Sequence, residues 1–79
     1  MKGGHASRIE LLSLDGDGGE CLEAYEGYFE VRIDDVGMAT ITVTGESFLS
    51  VGGAIIENLN VSDQYSFHVS YIMKIVWSN

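Results

Sequence analysis

Basic residues are scarce in this chain: four Lys and Arg stand against twelve Asp and Glu, a formal net charge of −8. Neutralising phosphates takes cations, so this balance argues against direct binding to nucleic acid and against adhesion to anionic membranes. It favours attraction to a basic protein surface. Cysteine is almost absent, and Cys21 alone cannot form a disulfide within the chain. No apolar run reaches transmembrane or signal length, and "MKGGHASR" has no hydrophobic segment behind it, so the chain reads as cytoplasmic.

The motifs of common chemistries are missing as well. Transition-metal sites need clustered Cys and His, whereas Cys21, His5 and His68 are scattered. Ser47, Ser50 and Ser66 lie outside any GxSxG elbow. The glycines of "GDGG" form neither GxGxxG nor a run before GK[ST], so no phosphate cradle is indicated. The expectation is a protein without cofactor or catalytic centre. Calcium enters as a minor alternative at 15–26, with Asp15, Asp17 and Glu26 at positions 1, 3 and 12 of an EF-hand-like loop. Position 6, where the sharp turn demands glycine, is Glu20.

What is present suffices for a single domain over 1–79: 46% of the 79 residues are hydrophobic. In "YSFHVSYIMKIVW", Tyr65, Phe67, Val69, Tyr71, Met73, Ile75 and Trp77 recur at every second position, which predicts a strand over 64–77 with one buried face. "FEVRIDDVGMATITV" reads as a hairpin with a three-residue loop, Asp35-Val36-Gly37. That register pairs Ile33 with Ala39, Val31 with Ile41 and Phe29 with Val43, and places glycine where φ must be positive. Strands are therefore expected at 27–34 and 38–44, and residues 20–26 stay open between a strand extension and a helical turn. "SRIELLSL" predicts a first strand at 7–14, preceded by a flexible tail over 1–6.

"ESFLSVGGAIIENLN" predicts a helix over 46–59. Phe48, Leu49, Val51, Gly52, Ile55, Ile56 and Leu59 fall within an arc of about 160° at helical spacing. A two-strand reading leaves Glu57 in line with Ile55 and Leu59. The expected fold is α+β: a two-layer domain with a mainly antiparallel four-stranded sheet, one helix on one face, and the order β-β-β-α-β.

Charge and shape then carry the functional expectation. Asp15, Asp17, Glu20, Glu23, Glu26 and Glu30 form an acidic tract between Arg8 and Arg32. Carboxylates so placed suit docking on a basic, nucleic-acid-binding surface of a larger partner, where they compete with phosphates for its Lys and Arg. Tyr28, of a type that anchors interfaces, falls on the polar strand face and joins the acids as a contact residue. In general character, and through no motif, the chain resembles phage-encoded inhibitors such as anti-CRISPR proteins, and toxin-immunity proteins. That resemblance implies a non-catalytic inhibitor or antagonist acting in a host cytoplasm. The alternative is a structural module that assembles, as a homodimer for example, through open strand edges.

Overall fold

The computed structural model describes residues 2–12, 21–69 and 73–78. Their architecture is all-β: β1 (Lys2–Leu12), β2 (Cys21–Ile33), β3 (Met38–Val43), β4 (Ser47–Val51), β5 (Ala54–Leu59), β6 (Gln64–His68) and β7 (Met73–Ser78). All pair antiparallel in one seven-stranded sheet. The α+β expectation is thus overturned, and with it the four-stranded sheet and its covering helix.

The hairpin from β2 to β3 has the register expected from its sequence, Phe29 to Val43, Val31 to Ile41 and Ile33 to Ala39. Gly37 closes the turn at φ 85°. Asp34 holds it from the other end, its Oδ1 accepting from the amides of Val36 (3.0 Å) and Met38 (2.9 Å). Of residues 20–26, those described, 21–26, are strand, since β2 runs from Cys21.

The helix over 46–59 is instead the β4–β5 hairpin. Gly52 and Gly53 both have positive φ, 59° and 85°, as a two-residue type I′ turn requires. The spoiled alternation has a local cause. Ser50 pairs with Ile55 but Leu49 pairs with Glu57, so Ile56 is an extra residue, a β-bulge that shifts parity.

Two further corrections concern the ends. The tail expected over 1–6 is strand from Lys2 onward, because Lys2 to Ala6 pair with Ile33 back to Phe29. Gly4 faces the Trp77 ring, and a Cβ there would stand 3.3 Å from it. The strand expected over 64–77 is two strands: β6 pairs with β3, and β7 pairs with β1.

That division means the sheet is rolled. From the pairings, β6 ends level with Asp34 and β7 begins level with Glu23, eleven residues back along β2. On a flat sheet these points would be about 40 Å apart, from four strand spacings across and eleven residues along. Five residue steps reach at most about 18 Å. The β3 side must therefore curl towards the β1 side. Ring contacts agree, for Tyr25 on β2 lies 5.5 Å, centroid to centroid, from both Tyr65 and Phe67 on β6. Ala6, Ile9, Tyr25, Phe29, Val31, Ile41, Val43 and Leu59 fill the interior, where rolling replaces the layer a helix would have supplied.

Candidate protein-docking face

β2 is the axis of the molecule's surface chemistry. One side of it pairs with β1 along its length; the other carries β4 on the first half and β3 on the second. The fork lies at Gly27 and Tyr28. Gly27 has φ 142°, and a Cβ there would collide with Ser47 Oγ and stand 2.5 Å from the Glu46 carbonyl. Ser47 Oγ accepts from the Tyr28 amide (3.0 Å) and donates to the Gly45 carbonyl (3.0 Å). The Thr44 amide donates to the Tyr28 carbonyl (2.9 Å). These bonds bridge the gap between β3 and β4 and leave the Tyr28 side chain outside, 66% exposed, its ring close against Gly45.

Alternation along β2 sorts the acidic tract. Glu26 and Glu30 share the outer face with Tyr28, while Glu23 lies in line with Tyr25 on the inner face. Asp15, Asp17 and Glu20 lie outside the described residues, as does most of the calcium loop; its last part is strand, and Glu26 is engaged by Arg8. The structure therefore brings Glu26, Tyr28 and Glu30 together and sets Glu23 apart from them.

Arg8 tempers the outer face. Its Nη1 meets Glu26 Oε1 at 2.8 Å and its Nε meets Glu10 Oε2 at 3.1 Å. The hydrogen bond that Arg8 donates to Glu10 is the first cause raising the arginine pKa and Glu26 adds to it, against the lowering effect of burial. The guanidinium stays charged, and one cation is shared between two carboxylates. Among the described residues Glu30 has no such engagement, and it is exposed. It lines two adjoining grooves with Arg32. One, of about 280 Å³, continues over Asp34, Met38, Thr40, Thr42 and Gln64. The other, of about 400 Å³, continues over Gly3, Gly4 and His5.

A row crosses this face from Ser78 through His5, Glu30 and Thr42 to Gln64, each paired with the next. Gln64 Nε2 donates to Thr42 Oγ1 at 3.2 Å. A hydroxyl, an imidazole and a carboxylate thus align at Ser78, His5 and Glu30. All three are exposed, and among the described residues no hydrogen bond joins them. Sequence reasoning had placed His5 in a tail; no local signal in "KGGHA" marks it as part of a strand.

The inner rim has its own character. Burial first, then the charges of Glu23 and Glu57 together with Tyr65, raises the pKa of Tyr25. Burial, then Asp63 and Glu57, raises that of Tyr65. Among the described residues, no group of three or more His, Cys, Asp or Glu is placed to hold a metal ion, and no helix is long and apolar enough to cross a membrane. No protein-family model, curated protein or solved structure matches the chain. What the molecule can do is therefore argued from this arrangement: open, polar, acid-rich strand faces around a filled core.

Proposed function

We propose that this is a non-catalytic protein-binding module that docks on a basic surface of a larger partner and acts there as an inhibitor or antagonist. The observation that carries the reading is the outer face of β2. Tyr28 is exposed on the same face as Glu30, which lines two grooves, on a chain of net charge −8. A rigid exposed tyrosine with acids around it suits an anchor that inserts among Lys and Arg side chains. Where the partner's basic surface serves nucleic acid, the carboxylates occupy the sites of phosphates.

The test compares the native chain with the double variant Tyr28→Ala/Glu30→Lys in capture from the native host's lysate. The expected result is a protein retained by the native chain, lost with the variant and released as salt rises to moderate levels. Retention that ignores both the variant and the salt defeats the reading. A second reading, assembly through a strand edge, is favoured by one observation: among the described residues β5 has an open edge, with Ile55 and Ile56 exposed. A stable homodimer in sedimentation velocity at micromolar concentration would support it.

A further inference from the structure

We propose that the free edge of β5 takes up an extended segment of the partner as an additional antiparallel strand, a segment in which apolar and basic residues alternate. Among the described residues, β5 ends one branch of the sheet and pairs with β4 alone. Residues 54–58 are all exposed, whereas β6 and β7 carry part-buried positions along their length. Ile55 and Ile56 stand 61% and 59% exposed. An edge of this kind offers unpaired backbone donors and acceptors, which a new strand satisfies, while its alternate side chains supply specificity.

The two faces of β5 define the chemistry of the occupant. Ile55 pairs with Ser50 and lies on the outer face, continuous through Phe48 with its neighbour Glu26 on β2. Glu57 pairs with Leu49, which pairs in turn with Tyr25, so Glu57 belongs to the inner rim. Its charge acts on both Tyr25 and Tyr65, with Glu23 and Asp63 acting on one ring each, so the field on that side is negative. An incoming strand alternates its side chains between the same two faces. Apolar residues then meet Ile55, and Lys or Arg meet Glu57. A second copy fits poorly. It brings two acidic rims and two charges of −8 together. The inference rests on the proposed docking function only for the basic character of the partner.

The experiment titrates the full isotope-labelled chain with a short synthetic peptide alternating valine and lysine. A peptide of the same composition with its lysines in one block is the control. Expected are saturable shift changes and slowed amide exchange over 54–58 with the alternating peptide, weakened about tenfold or more by Ile55→Lys or Glu57→Lys. Equal response to both peptides, changes confined to the outer face of β2, no change on β5, or β5 amides already protected in a dimer would each overturn it. The two readings fail separately. If the alternating peptide leaves β5 untouched while Tyr28→Ala/Glu30→Lys still abolishes partner capture, the edge proposal falls and the docking function stands. The converse result removes the docking face and keeps the edge.

Discussion

Ser47 is a buried polar residue whose hydroxyl stands where a ladder bond would otherwise close the fork of the sheet. Ser47→Ala leaves the Tyr28 amide without that acceptor, and a buried donor so stranded costs about 1–3 kcal/mol. For a domain of this size each 1 kcal/mol lowers Tm by about 4–8 °C, so thermal melts will show the loss. Gly27→Ala is expected to be worse, because strain at φ 142° adds to a collision with Ser47 and Glu46 backbone and side-chain atoms; about 3 kcal/mol or more is expected. A titration prediction belongs to the same scale. Tyr25 and Tyr65 keep their protons longer in the folded state than in the unfolded one, first through desolvation, Tyr25 being buried and Tyr65 part-buried, and then because Glu57 and other acids lie near. Their contribution is fully present below the ordinary tyrosine pKa of about 10 and is lost as pH rises from there through the raised values. Tm against pH should therefore fall on the alkaline side, and Tyr25→Phe should flatten that fall. An alkaline limb unchanged by the substitution would rule out Tyr25 as its source.

At the scale of the element, the β4–β5 hairpin makes the most direct claim. Nothing lies within 4 Å of a Cβ at Gly52, whose φ of 59° suits asparagine. Gly52→Asn is expected to stabilise by about 0.5 kcal/mol, since it keeps the turn and reduces the freedom of the unfolded chain. Gly52→Val should destabilise by about 1–3 kcal/mol, because a β-branched residue resists positive φ. A helix over 46–59 predicts instead that both variants stabilise, since asparagine and valine are both better helix formers than glycine. Comparing the two melts settles the element, and far-UV circular dichroism of the native chain should lack a helical signature. The hairpin from β2 to β3 was legible because turn chemistry at Gly37 and the face shared by Val31 and Ile41 agree on one register. The β4–β5 hairpin was not, because the bulge at Ile56 places Glu57 where strict alternation wants an apolar residue. The same set of residues also lies on one side of a helical wheel.

On the scale of the whole molecule, charge and closure act together. Arg8 draws Glu10 and Glu26 to itself at the partly exposed surface, where solvent-screened pairs are worth under about 1 kcal/mol. Their effect is to shape the field of the outer face rather than to hold the fold. Association through that face should speed up and tighten at low ionic strength and weaken steeply as salt is added, because exposed charges are screened beyond about 10 Å at 0.1 M. Charge reversal at Glu30 together with loss of Tyr28 should lower the association rate and the affinity and leave the melting temperature nearly unchanged, as both side chains are exposed. A large drop in stability would instead make Tyr28, packed against Gly45, a structural residue.

Composition and local pattern alone determined the supply of apolar residues for a core, the acidic balance and the parity of β2 and β3, and of β6 and β7 short of the exposed Trp77. Tyr65, Phe67, Met73 and Ile75 do pack against the core, and the β2–β3 register needed nothing beyond its own residues. These follow from short-range rules: a period of two and a glycine at positive φ. Tertiary structure decided the rest. Lys2 to Ala6 become strand only because β2 offers them a ladder, and the run from Tyr65 to Trp77 divides because its two halves pair with different strands. The acidic tract likewise separates into an outer Glu26 and Glu30 and an inner Glu23 through the pleat of β2. Pairing partners distant in sequence leave no mark in a local window, and rolling a sheet upon itself is a choice that only the assembled strands can make.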